Sequence, residues 1–179
     1  IALTADLKHW GSSVKLRYVS QGRHAASPFA GAKVLSWAFN LTWIEQAQRD
    51  GFDEVILLNE RGEVAECTSA NIFVASGDRI WTPPLSSGCL PEVTREILLE
   101  ECRIPGDTLR ERVLFPADLD AADELFITST TRDLLSVAVI GDKPVGSGAS
   151  RVRDAAQAVF SDCSRRYIQR HAAAPLGKA

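Results

Sequence analysis

The chain has 179 residues, 45% of them hydrophobic and 24% charged, with a net charge of −3 at neutral pH. That composition suits one sizeable globular domain with a proper core. It leaves no basic footprint for nucleic acid, and no apolar run approaches the roughly 20 residues that span a membrane.

Residues 1–27 mix polar and apolar types without a clear period, and within them "VKLRYVS" (14–20) is a strand candidate. From Ala32 to Arg49 the apolar residues Val34, Trp37, Ala38, Leu41, Ile44 and Ala47 recur at helical spacing, and Asp50-Gly51 supplies a stop. "DEVILLN" (53–59) reads as an apolar strand, turned by "ERGE" into a second strand that carries Glu66. A small polar crossing within Glu66–Asn71 leads to another strand and a hairpin at Gly77-Asp78. "TPPLSSGCLPEVTREILLEECRI" begins as a Pro- and Gly-rich loop. It becomes a helix with Pro91 near its first position and Ile97, Leu98 and Cys102 facing inward. "LRERVLF" (109–115) predicts a strand, "PADLDAAD" a short helix, "ELFIT" a buried strand and "STTRD" (129–133) a tight turn. "LLSVAVIG" and "KPVG" predict two more strands. An amphipathic helix over Ser147–Arg170 turns Val152, Ala156, Val159, Phe160, Cys163 and Tyr167 inward, and "HAAAPLGKA" reads as a disordered tail.

Four cysteines (Cys67, Cys89, Cys102, Cys163) and three histidines (His9, His24, His171) are scattered, without the close spacing of a zinc site or a disulfide scaffold. Buried free thiols in a cytosolic protein are the expectation. The chain contains no methionine and opens on "IALTADLKHW", without the basic and apolar regions of a signal peptide, so a preceding N-terminal portion is expected.

Three loops present small polar residues after a regular element: Glu66–Asn71, Ser86–Thr94 and Ser129–Thr131. The second opens a helix whose first amides and dipole suit a phosphate, and the third offers hydroxyls and turn amides at a strand end. Each has a local reading as well, since Ser and Thr fill turns and caps, and Glu66 taken alone reads first as an exposed residue at a strand end. Lys33, in "SPFAGAKVLSW", either snorkels to solvent or, if desolvated, offers a neutral amine to a carbonyl. An amine, a carboxylate and two phosphate cradles are together what pyridoxal 5'-phosphate (PLP) requires.

The segments "GAK", "GFDEVILLNERGEVAECTSANIF", "TPPLSSGCLPEVTRE" and "DELFITSTTRDLL" stand in the order found in the class IV, fold-type IV PLP enzymes, and the chain resembles that family from about Ser20 to Val145. The family includes branched-chain aminotransferases, D-amino-acid transaminases and aminodeoxychorismate lyases. The resemblance implies an α+β fold: the large C-terminal α/β domain of the D-amino-acid aminotransferase-like type, a mixed β-sheet or pseudo-barrel with flanking helices. On this reading residues 1–30 hold the end of an interdomain connection and the first strand, 31–171 the PLP-binding domain, and 172–179 the disordered tail. The family's N-terminal small domain has no counterpart.

By the same resemblance Lys33 matches the Schiff-base lysine and general acid-base, and Glu66 the acid that faces the pyridine nitrogen. Leu90 matches the apolar cover of one ring face. Val93 and Thr94 match the helix-start phosphate binders, and Ser129 and Thr130 the second phosphate-side turn. Thr130-Thr131 lies where relatives hold the substrate carboxylate, and Arg23 matches an arginine that supports the cofactor from behind its direct contacts. The implied activity is transamination between an amino acid, branched-chain among the candidates, and a 2-oxo acid, in a cytoplasmic homodimer. No metal is implied. The same site also allows 4-amino-4-deoxychorismate lyase chemistry, or an isolated domain that is catalytically incomplete.

Two departures stand out. Glu92 replaces the family's usual glycine after "LP" and is expected to point to solvent. Trp37-Ala38-Phe39 stands where branched-chain enzymes place a tyrosine near the cofactor.

Overall fold

The computed structural model describes Thr4 and residues 9–172; the expected tail from residue 173 onward lies outside the described residues, as does most of the segment before residue 9. Among the described residues nine strands form one sheet: β1 (Ser13–Val19), β2 (Glu54–Leu58), β3 (Val64–Cys67), β4 (Asn71–Ser76), β5 (Arg79–Thr82), β6 (Thr108–Glu111), β7 (Glu124–Ser129), β8 (Asp133–Ile140) and β9 (Lys143–Pro144). Its order is β3-β2-β1-β8-β7-β4-β5-β6, with β9 on β8, and it mixes parallel pairs (β1–β2, β1–β8, β5–β6) with antiparallel ones. Among the described residues four α-helices flank it: α1 (Ala38–Arg49), α2 (Val93–Glu100), α3 (Pro116–Asp120) and α4 (Arg151–His171). This is the mixed α+β architecture of curled sheet and flanking helices that the resemblance implied.

Two-residue alternation along strands buried on both faces divides their side chains between two layers. Ile56 and Leu58 of β2, Ile72 and Val74 of β4, and Leu125 and Ile127 of β7 share one interior cluster with Val14, Leu16, Val137 and Ile140. Their neighbours point the other way: Phe73 and Phe126 stack at 5.0 Å beneath α2 and α4, while Val55 and Leu57 meet Ala47 of α1. The two sheet edges approach each other where the Val64 amide donates to the Leu114 carbonyl at 2.8 Å.

That closure corrects one expectation. "LRERVLF" is strand only as far as Glu111, because Leu114 leaves the ladder to enter the interior and Phe115 caps α3. The helix expected from Ala32 begins at Ala38 instead. Ala30 and Ala32 donate back to Ser27 and Phe29 in successive turns, and Gly31 takes a left-handed φ of +74°, which breaks any helical path. Of the apolar residues at helical spacing, Val34, Trp37 and Leu41 are exposed and only Ala47 is fully enclosed. Pro91 precedes α2 rather than opening it, and α4 begins at Arg151, four residues late. The start of α4 is fixed by the buried Glu124 carboxylate, which accepts the amides of Val152 and Arg153. Tyr167 sits outside the core, past the last turn that α4 packs on the sheet.

Candidate active site

At the end of β3 the backbone aims Glu66 toward the loop that enters α2, and its side chain is only 8% exposed. One carboxylate oxygen accepts from the Arg23 guanidinium; the other accepts the Leu90 backbone N–H at 2.9 Å. Burial pushes the Glu66 carboxyl above the usual carboxylate range, while the Arg23 charge, the Leu90 amide and the Lys33 ammonium pull it back. Lys33 therefore lies within electrostatic reach of Glu66. It stands exposed on the irregular stretch before α1. Gly31 lies against Cys89 and Pro91, which brings this stretch alongside the loop carrying Leu90.

That loop is pinned along its length. Asn59 donates to the Ser87 carbonyl at 3.1 Å, the Ser87 hydroxyl to Glu63 at 2.8 Å, and Asn71 to the Leu90 carbonyl at 3.1 Å. The buried Arg95 reaches back to the Pro83 carbonyl at 2.8 Å and pairs with Glu111. Gly88 turns with φ +96°, and a Cβ there would lie 3.1 Å from both the Ala25 Cα and the Arg23 Cγ. Only glycine lets the loop pass this close to Arg23.

The loop's last residue, Glu92, caps α2 and does not point to solvent. Its Oε1 accepts from the Thr94 hydroxyl at 3.0 Å and the Thr130 hydroxyl at 3.2 Å, and its Oε2 accepts the Arg95 amide at 3.3 Å. The expected outward orientation fails for a physical reason: a helix N-terminus with free amides and two nearby hydroxyls is a better partner for a carboxylate than open water on one side. Thr94 is buried, Val93 is exposed, and Ser129 is buried while Thr130 and Thr131 are exposed beside it.

Sequence reasoning missed the support behind this turn. Glu54, fully buried, accepts from the Thr68 hydroxyl, the Ser69 hydroxyl at 2.6 Å and Arg132 at 3.3 Å. Arg132 also donates to the Ser69 carbonyl at 2.9 Å and the Ser129 hydroxyl at 3.3 Å, and it lies over the Trp10 ring. One ion pair thus holds the Thr68–Ala70 crossing and the Ser129–Thr131 turn together. The available signal was the second carboxylate of "DEVILLN", directly before its apolar run, and the arginine of "STTRD". Among the described residues, no group of three His, Cys, Asp or Glu side chains is placed to hold a metal.

Arg23, Lys33, Glu66 and Leu90 thus meet at one end of the site, and Thr94, Ser129, Thr130 and Thr131 gather at the other. Comparison with known proteins gives the arrangement a context. A D-alanine aminotransferase of Bacillus licheniformis is 36% identical over 117 residues, which is 65% of this chain and 41% of that relative. The structure of the branched-chain amino acid aminotransferase from Escherichia coli superposes with a TM-score of 0.77 and 27% identity, over 84% of this chain and 52% of that one. A hypothetical aminotransferase from Mycobacterium tuberculosis, in its PLP-bound form, superposes with a TM-score of 0.75 and 25% identity, over 84% of this chain and 57% of that one. The chain therefore spans about half the length of the relatives it matches. The model of the class IV amino-transferase family matches residues 1–140, and the chain belongs to that family.

Proposed function

We propose that this chain provides the cofactor-binding part, residues 31–171, of a PLP-dependent transaminase that moves an amino group between an amino acid and a 2-oxo acid. The observation that carries the reading is the Glu66 carboxylate, buried between Arg23 and the Leu90 amide and within reach of the Lys33 amine. A buried acid of this kind has oxygen lone pairs left for a protonated ring nitrogen, and the Lys33 amine within its electrostatic reach is open to a carbonyl partner, which would bring the cover from water that the exposed stretch lacks. The hydroxyls of Thr94, Ser129 and Thr130 with the α2 amides suit a phosphate. The ring end fits PLP as it stands; at the phosphate end the donors are in place, with Glu92 now holding them.

When bound, PLP supplies a carbonyl that takes up amines and a ring that draws electrons from the substrate Cα. The residues of this chain do the rest. Glu66 holds a proton at the nitrogen facing it, and Arg23 keeps the carboxylate oriented for that task. Lys33 would take the proton from the substrate Cα as a general base, hold it on Nζ, and give it up again as a general acid. Leu90 excludes water from one ring face, its backbone fixed by Glu66 and Asn71. The Thr130 and Thr131 hydroxyls orient the substrate carboxylate, and the Val93 and Thr94 amides orient the phosphate.

Homodimerisation is part of the proposal. It is supported by the exposed apolar residues Phe29, Val34, Leu35, Trp37, Phe39 and Leu41, which surround the lysine stretch and lack cover within the described chain. A cytoplasmic location is supported by four free cysteines, all buried. Among the described residues no helix is long and apolar enough to cross a membrane.

The test is a half-reaction. The PLP-loaded protein, given an amino acid and no acceptor, should release about one equivalent of the matching 2-oxo acid per site and stop. Absence of any 2-oxo acid across aliphatic L- and D-amino acids would contradict the transaminase reading.

A further inference from the structure

The phosphate end of the site already contains an anion. Glu92 receives the hydroxyls of Thr94 and Thr130, from α2 and from the turn after β7, and the Arg95 amide of the first helical turn. These are the donors that a phosphate would need. The two arginines adjoining this end in the chain are engaged elsewhere: Arg95 with Pro83 and Glu111, Arg132 with Glu54 and Ser69. Among the described residues no guanidinium hydrogen-bonds Glu92 to offset its charge.

Resting on the cofactor reading above, we propose that Glu92 is an internal competitor for the phosphate cradle and sets how strongly this protein prefers a phosphorylated cofactor. For phosphate to bind, the carboxylate must leave Thr94 and Thr130. A phosphate ester carries about −1.5 to −2 charge at neutral pH, so the two anions cannot share the cradle without repulsion. The carboxylate need only rotate outward from the N-cap position to clear the space, and the helix then loses its cap. Glu92 therefore weakens phosphate binding in two ways: it holds the donors beforehand and it repels the incoming charge. The consequence is confined to the phosphate. A ligand with the same ring and aldehyde but no phosphate does not meet Glu92.

The experiment compares the parent protein with Glu92→Gln and Glu92→Gly by absorbance titration with PLP and, separately, with unphosphorylated pyridoxal. Gln keeps the size and a capping oxygen while removing the charge; Gly removes the side chain. Circular dichroism checks that both variants fold. The expected result is PLP binding tightened about tenfold or more in both variants, with pyridoxal binding unchanged. PLP affinity that is unchanged or weaker in both folded variants overturns the proposal. So does equal tightening toward pyridoxal, which would place the effect of Glu92 at the ring. If no variant, nor the parent, shows a Lys33-dependent Schiff-base band, the cofactor reading itself fails and this inference falls with it. A Lys33-dependent band with unchanged PLP affinity overturns the inference alone.

Discussion

The Leu90 backbone N–H donates to Glu66 Oε2 at 2.9 Å, so the end of β3 and the loop into α2 share one carboxylate. The other oxygen of that carboxylate takes the Arg23 guanidinium, which makes Glu66 the junction of three chain segments.

Glu66→Ala should therefore destabilise the fold as well as impair the site. It leaves the Arg23 guanidinium and the Leu90 amide without their acceptor, a loss of roughly 1.5–3 kcal/mol for hydrogen bonds to a charged group. Glu66→Gln keeps one acceptor oxygen but faces the other donor with an NH2 group, so it retains only one of the two bonds. The pH dependence has a definite sign. The folded Glu66 carboxyl sits above its ordinary value, so between that value and the raised one the native state holds the proton that the unfolded chain releases. Its contribution lowers stability as pH rises through that window. Thermal unfolding of the cofactor-free protein across pH 4–8, compared with Glu66→Gln, reads this out: the variant should lack that decline. Identical profiles would remove the buried carboxylate from the account. The pH range here spans from about the ordinary carboxylate value to neutrality.

Glu63 carries the opposite sign. Hydrogen bonds from Arg61, then Asn59 and Ser87, outweigh its burial and hold its carboxyl down from 4.5 to about 2. Its stabilising contribution is present above the ordinary carboxylate value and is lost as pH falls toward about 2. Glu63→Gln should flatten the acid limb of a urea unfolding series while leaving the neutral region closer to the parent slope. An unchanged acid limb would mean that other carboxylates govern acid unfolding.

Arg132 and Glu54 form a pair with side chains 5% and 1% exposed. Arg132→Met leaves Glu54 charged and buried, still accepting from Thr68 and Ser69 but without its cation. The expected loss is about 3–5 kcal/mol. Hydrogen exchange should show the Thr68–Ala70 crossing and the Ser129–Thr131 turn loosening together, because Arg132 reaches both. A loss below about 1 kcal/mol with local protection intact would show that the crossing holds without the arginine.

The strands were legible because their alternation answers to the core itself. Ile72, Phe73, Val74 and Ala75 point to opposite faces in turn, and both faces are buried, so β4 reads as an unbroken apolar run. The start of α1 was not legible, because Val34, Trp37 and Leu41 fit a helical period yet face away from this chain's core. Their apolar character answers to surroundings other than the sheet, while the turns at Ser27–Ala32 set the local path. At the site, residue types and order suggested Lys33, Glu66 and the two hydroxyl-bearing turns. The orientation of Glu92 depends on Thr130, 38 residues away, and the crossing depends on a pair 78 residues apart. Contacts of that range follow from how the strands are ordered in the sheet, which local pattern does not contain.

The most direct test of the central claim is covalent. The protein is incubated with PLP, reduced with borohydride and digested, and the pyridoxyl-bearing peptide is sequenced by mass spectrometry. The account predicts stoichiometric labelling at Lys33, an absorbance band lost in Lys33→Ala, and an unchanged melting profile in that variant because Lys33 is exposed and outside the core. Stoichiometric labelling at another lysine, or a band that survives Lys33→Ala, would contradict it.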